Sequence, residues 1–219
     1  DDRWHRYRFR LRPTVHGLAY RVRSRIFQDL SVVDIVTQVL TDAGVPADAV
    51  RWDTGGEYPV RPYTTQWKES ELSFVLRLLE DEGIFYWFEH TEIDHLLCFG
   101  DAPGAHASID GDPMIPIESQ AAQEVDAIWH PVLSAHQVHD AYSSRDWCFE
   151  TPQAPLESRT GEEGVRTRYE YPGGYDAQGD GDRLAGVRLE EAWHDAVTLT
   201  GATSCLRFAP GRKVDFIGV

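Results

Sequence analysis

Residues 66–86 constrain the fold more than any other part of the chain. Ser70 can accept hydrogen bonds from the free amides of a helix start, and Glu71 suits the positive end of the helix dipole. Leu72, Val75, Leu76 and Leu79 follow at i, i+3, i+4 and i+7, which predicts a single packed helix face. Glu80, Asp81 and Glu82 sit at the end where the dipole disfavours anions, and Gly83 then stops the helix. Residues 84–88 are aromatic and β-prone, and residues 96–99 can pair with them across Glu92, Ile93, Asp94 and His95. A helix feeding a hairpin is an α+β unit.

The flanks read as mostly β. Residues 6–12 and 20–26 alternate arginine with apolar residues, the period of a strand with one basic and one apolar face. Ser31 and Asp34 have the form of a capping box. Val32, Ile35, Val36, Val39 and Leu40 then lie at helical spacing until Gly44 and Pro46. Residues 52–62 read as a loop and 100–122 as a linker rich in Gly, Pro, Asp and Ala. Residues 125–129, 132–139, 166–171, 197–199, 205–208 and 214–217 read as strands. A turn-rich stretch is expected at 151–164. A helix is expected over 182–194, with Ala185, Leu189, Ala192 and Trp193 on one face.

Charge narrows the partners. The net charge of −15 argues against non-specific binding to nucleic acid or anionic membrane. Yet residues 1–28 hold eight arginines and two aspartates, a balance of +6, against −21 for the rest. Like charges stacked on one sheet face repel, so the arginine ladders are predicted to meet carboxylates. The competing reading is a single-stranded nucleic-acid groove with Tyr7 and Phe9 as stacking platforms. In a strand those rings face away from the arginines, as core residues do.

Specific chemistry is sparse. Cys98, Cys148 and Cys205 form no CxxC pair and read as buried reduced thiols. His90 and His95 can meet across the hairpin with Glu92 or Asp94 nearby, but no third zinc ligand is evident. His136 and His139 point to opposite faces of a strand. Residues 176–181 resemble the start of an EF-hand loop, but Leu184 and Val187 occupy its ninth and twelfth places. GxSxG, HExxH, P-loop and GxGxxG motifs do not occur. Glu80, Asp81 and Glu82 fan outward from a helix and make no facing acid/base pair. No metal, cofactor or catalytic residue is therefore expected.

Four blocks resemble the VgrG family of type VI secretion spike proteins, in order and with fitting spacing. Arg25, Phe27 and Gln28, with Ser31-Val32-Val33-Asp34-Ile35, resemble its entry to a first helix. Gln66, Glu69, Ser70, Phe74, Leu78, Leu79, Glu82, Gly83 and Tyr86 resemble its long "Q..ESD..F..RLLEEEGI.Y" block. Tyr171, Pro172 and Gly173 resemble its "YPG.Y" turn, and Ser204-Cys205 with Pro210 and Gly211 its "SNC..L.PG" run. Thr203 and Ser204 depart from that last pattern, and Thr64-Thr65 replaces a cysteine-containing approach to the second block.

The resemblance implies an α+β, β-rich fold similar to the baseplate hub of contractile phage tails. Residues 1–29 would end a first β-barrel-like domain, 30–120 would form an α/β element with two helices and a hairpin, and 121–219 a second antiparallel barrel-like domain with one helix. It also implies a non-catalytic part that forms a homotrimeric ring on a tube of stacked hexameric rings, with effector or adaptor proteins as further partners. The opening strands and a membrane-piercing needle would lie outside these residues. Assembly would occur in the bacterial cytoplasm, before expulsion. A phage tail hub fits the same blocks. The alternative from another class, a carbohydrate- or metal-dependent hydrolase, requires a cleft with converging histidines or carboxylates.

Overall fold

The structure, a computed structural model, describes residues 5–118, 126–162, 164 and 166–217. The end of the expected linker (119–122) and Val125 lie outside these residues.

The first unit is built on two capped helices. In α1 (Val32–Asp42) the Ser31 hydroxyl accepts from the Asp34 amide and the Asp34 carboxylate accepts from the Ser31 amide, both at 3.2 Å, the reciprocal cap expected from the sequence. In α2 (Glu71–Glu82) Ser70 accepts from the Ser73 amide at 3.0 Å, and Gly83 ends the helix at φ +74°. The Gly83 amide bonds the Glu80 carbonyl and the Ile84 amide bonds the Leu79 carbonyl, so two free carbonyls are satisfied.

The buried face of α2 is rotated from the expected one. Glu71, Phe74, Val75, Leu78, Leu79 and Glu82 are buried, while Leu72 and Leu76 flank the stripe half-exposed. Phe74 and Leu78 draw the helix round, because they join Ile35, Val36, Val39 and Leu40 of α1 in one apolar cluster. The stripe thus has a carboxylate at each end.

Around these helices, β1 (Val22–Phe27) pairs antiparallel with β3 (Thr64–Ser70), and Phe27 stacks on Phe74 with centroids 5.5 Å apart. Then β4 (Phe85–His90) and β5 (His95–Gly100) form the expected hairpin, with His90 opposite His95. Strand β2 (Val50–Asp53), which lies partly in the stretch expected to be a loop, runs parallel to β5 and stacks Trp52 on Phe99 at 4.1 Å.

Residues 6–12 are not a strand, contrary to the alternation. They have no ladder partner among the described residues, and Tyr7, Phe9 and Leu11 are exposed, Leu11 to 94%. Period-two patterning specifies a strand only where another strand offers hydrogen bonds and one face is covered. The second alternating run has such a partner in β3 and is a strand from Val22 onward, whereas Tyr20 closes a 3₁₀ helix (Thr14–Tyr20).

Beyond residue 100 the structure has more order than the composition suggests. The expected linker contains a 3₁₀ turn (Pro103–Ala105), β6 (Ala107–Ser108) and β7 (Met114–Glu118). A four-stranded sheet has the order β12–β8–β7–β14, from β8 (Ile128–Ala135), β12 (Val197–Thr203) and β14 (Asp215–Ile217). Strand β14 is parallel to β7, β7 parallel to β8, and β8 antiparallel to β12. Strand β13 (Arg212–Lys213) is parallel to β6, and residues 205–208 form no strand.

Between β8 and β12 the chain inserts a separate unit. It comprises β9 (Ala141–Asp146), β10 (Leu156–Gly161), β11 (Thr167–Glu170) and α3 (Gln178–Trp193). The turn-rich reading of 151–164 missed β10, whose serine, arginine and threonine content hides a strand with Leu156 and Ser158 buried. The apolar interior divides accordingly. One cluster fills the α/β unit, a second gathers Ile109, Ile115, Ile128 and Cys205, and a third gathers Tyr142, Ala185 and Leu189.

Gly83 occupies a left-handed conformation, and a Cβ there would lie 2.9 Å from the Val187 side chain. Gly83→Ala is therefore expected to lower the unfolding free energy by more than about 1 kcal/mol, read by urea denaturation.

Candidate assembly surfaces

The arginine ladder of β1 closes on one carboxylate. Alternation turns Arg23, Arg25 and Phe27 to one side of β1 and Val22, Ser24 and Ile26 to the other, and Arg21, just before the strand, joins the first set. Glu71, at the first position of α2, has a side chain with 0% exposure. Arg21 Nε lies 2.6 Å from its Oε2, in charge contact rather than an aligned hydrogen bond. Arg23 Nε lies 3.2 Å and Arg25 Nη2 3.1 Å from its Oε1. Arg25 also donates to Gln66 Oε1 at 3.0 Å and to Asp42 Oδ2 at 2.9 Å. These three arginines thus meet carboxylates, as the charge argument predicts. Arg12 instead contacts His16, and no carboxylate partner is seen for residues 6–12 among the described residues.

Inward arginines force apolar groups outward. Val22, Ile26 and Trp67 are exposed on the β1–β3 ribbon, with the Lys68 ammonium over the Trp67 ring at 4.8 Å. A second uncovered patch lies on the four-stranded sheet. Leu133 stands opposite Leu199 and Ala135 opposite Val197 in the β8–β12 register, so all four share one face. Leu133 is 70% and Val197 61% exposed. Soluble proteins rarely leave contiguous apolar patches unless another surface covers them.

The residues of the four sequence blocks fall into place as follows. Phe27, Phe74, Leu78 and Leu79 form the first core. Buried Gln66 donates from Nε2 to the Glu69 carbonyl at 3.1 Å, and Glu69 holds Arg77 at 2.7 Å. Ser70 and Gly83 cap α2, whereas Gln28 and Tyr86 are exposed. Glu82 accepts from Arg61 and from Arg183 of α3, each at 2.6 Å. The Tyr171–Pro172 bond is cis, the Gly173 amide bonds the Arg145 carbonyl, and Asp146 accepts from the Gly174 and Tyr175 amides. Pro210 borders a groove with Leu199 and Phe216, and Gly211 (φ +77°) seats its backbone on Trp87. The blocks are thus spread over the molecule rather than gathered at one cleft. The sequence reading did not single out Arg61, Arg183, Leu133 or Leu199; the alternation of Leu133 with Ala135 was the available signal for the last face.

Titratable groups pair with one another. Two hydrogen bonds from Arg51, at 2.8 and 2.9 Å, hold the Glu89 carboxyl down from its ordinary 4.5 to about 2. Burial and a hydrogen bond to Glu170 push the Tyr142 hydroxyl up to about 12. Burial resists ionisation of Asp101, but the Gly55 and Gly56 amides and the Tyr58 hydroxyl donate to it and leave it below the usual range. The rings of His90 and His95 lie 6.1 Å apart, and His95 Nε2 accepts from the Thr14 amide. Cys98, Cys148 and Cys205 are free thiols; Cys98 and Cys205 are buried as expected, whereas Cys148 is only half-buried.

The described residues thus place carboxylates in ion pairs with arginine, divide the apolar interior into three clusters and leave an aliphatic sheet face uncovered. The chain belongs to the phage tail baseplate hub (GPD) family, which it matches over residues 1–218. It is 33% identical over 208 residues to the type VI secretion system spike protein VgrG1b of Pseudomonas aeruginosa, covering 89% of this chain and 27% of that protein. It is 34% identical over 208 residues to VgrG1c of the same organism, covering 89% of this chain and 28% of that protein. The chain thus spans between a quarter and a third of these relatives. Among solved structures, it resembles the E. coli c3393 protein, a component of the type VI secretion system similar to the T4 bacteriophage tail proteins gp27 and gp5. That match has a TM-score of 0.67 and 17% identity, covering 94% of this chain and 44% of that one. A 43 kDa tail protein of prophage MuSo2 from Shewanella oneidensis matches with TM-score 0.56 and 9% identity, covering 88% of this chain and 58% of that one. The fold is that of the phage tail hub proteins, α+β and rich in strands.

Glu71→Ala leaves three inward arginines without their carboxylate and is expected to cost about 3 kcal/mol of stability, measured by urea denaturation. The Glu89 pair gives a pH dependence. Its carboxyl titrates lower in the folded protein, so its contribution is present above about pH 4.5 and is lost as pH falls towards 2. Thermal unfolding of Glu89→Gln should approach that of the wild type across that window, while the two differ at neutral pH.

Proposed function

We propose that this chain is the hub segment of a type VI secretion spike, a structural part that assembles as a homotrimeric ring. The observation that carries the reading is the uncovered face of Leu133, Ala135, Val197 and Leu199, on a chain 33% identical to a VgrG spike protein. That face is continuous, aliphatic and set on a sheet with free edges, which suits packing against a neighbouring copy. The ring would dock on a tube of stacked hexameric rings, and effector or adaptor proteins would ride on the assembled spike. The three-part division of the chain (1–29, 30–120, 121–219) belongs to this proposal, with β1 as the junction, since Phe27 packs in the core of the second part. So does the structural role of the motif residues, from Arg25 and Gln66 to Pro210 and Gly211.

A non-catalytic role draws support from the carboxylates. Glu71, Glu82 and Glu89 are each taken up in ion pairs with arginine. Assembly in the bacterial cytoplasm and expulsion with the spike follow from the same reading, and no helix among the described residues is long and apolar enough to cross a membrane. The phage tail hub is the second reading, favoured by the family match and by the prophage tail protein. Both place the chain in the same kind of ring.

Sedimentation velocity of the full polypeptide carrying this segment tests the proposal. A trimer is expected, with Leu133→Glu and Leu199→Glu shifting it to monomer. A wild-type protein that stays monomeric at high concentration overturns the ring.

A further inference from the structure

The unit inserted between β8 and β12 has its own small core, Tyr142, Ala185 and Leu189, which shares no residue with the apolar cluster of the α/β unit. The chain enters it through residues 136–140 and leaves through 194–196. These two connectors are tied together. The His136 amide donates to the Ala196 carbonyl at 2.8 Å, and Trp193 Nε1 donates to the His139 carbonyl at 2.7 Å. A coil segment (136–140) and the turn that closes α3 (194–196), crosslinked side by side, form a pivot.

At its far end the insert meets the C-terminus of α2 chiefly through charge. Glu82, with 2% of its side chain exposed, takes one oxygen to Arg61 and the other to Arg183. Arg188 reaches Asp81 Oδ1 and the Glu80 carbonyl, each at 3.3 Å. The arginines also relieve the unfavourable placement of three carboxylates at the negative end of the helix dipole. Val187 lies over Gly83 at the same seam. Beside these contacts lies a cleft of about 530 Å³, bordered by Val60, Asp146, Gly174, Asp176 and Leu184. The seam is therefore an ion-spanned gap rather than a dry, packed interface.

We infer that the inserted unit, residues 141–193, is hinged at residues 136–140 and 194–196 and latched onto the α/β unit by Glu82. A packed apolar seam separates only by exposing its whole area. An ionic seam depends on a few groups, and neutralising one leaves a buried charge that favours opening to water. The closed state also carries an uncompensated cost, because Arg183 Nε is buried without a hydrogen-bond partner. The unit thus opens about its connectors without loss of either core, and Glu82 sets the closed population. This gives the chain a movable outer part independent of whether it forms a ring.

Spin labels at Glu92→Cys and Glu190→Cys in a Cys148→Ser background report the opening, since the remaining thiols, Cys98 and Cys205, are buried. Electron–electron double resonance on the full chain should give one narrow distance for the parent protein. Glu82→Gln and Arg183→Gln should each add a second, longer population while circular dichroism stays unchanged. A parent-like distance in folded variants overturns the latch. Where Glu82→Gln alone unfolds, Arg183→Gln decides, because Glu82 keeps Arg61. Global unfolding of both variants also overturns it, since the hinge requires the insert to open without melting the cores.

Discussion

The Glu71 carboxylate is the point on which the first unit turns. Placed at the positive end of α2, it is favoured there by the helix dipole. Three guanidinium groups converge on it from one strand face, and the Glu71 amide itself bonds the Arg21 carbonyl at 2.8 Å. Removing these charges from water is expensive, so the arrangement gains little net stability over an apolar one. What it gains is direction. The β1–β3 pairing, which shifts register between Arg23 and Arg25, brings both strand arginines to the same anion as Arg21, and a slip by one residue would turn Arg23 and Arg25 away from it.

Direction has a consequence for the opposite face. Where arginine occupies the inward positions of a strand, aliphatic residues are left outside, as Val22 and Ile26 are. The charge split along the sequence thus reports internal pairing for part of its length and an exposed arm, residues 5–13, for the rest. The same device recurs at the other end of α2, where Glu82 gathers Arg61 and Arg183. At both ends of α2, then, a buried carboxylate is met by arginines from other elements.

The helices and the hairpin were legible because their signals are local. Ser31 and Asp34 cap one another over three residues, and Gly83 marks a stop through its own backbone freedom. The rotated face of α2 was not legible, since burial of Glu71 depends on arginines 46 to 50 residues earlier in the chain. Alternation at 6–12 promised a strand, but pairing needs a partner that local pattern cannot supply. Strand β10 failed in the opposite sense: Ser158 is buried because Gln178 of α3 bonds it, a contact made only after folding. The blocks that resemble the spike family were readable as sequence, whereas the aliphatic face of β8 and β12 emerged only from their register.

The last strand lies parallel to β7, with Asp215, Phe216 and Ile217 beside Met114, Ile115 and Pro116. A force pulling on the chain beyond it would run along the strand rather than across it. The hydrogen bonds of that pairing would then be strained together, like teeth of a comb drawn lengthwise, instead of opening one after another from an end. In a pairing only three residues long, any resistance to such a pull comes from bonds loaded at once rather than from length.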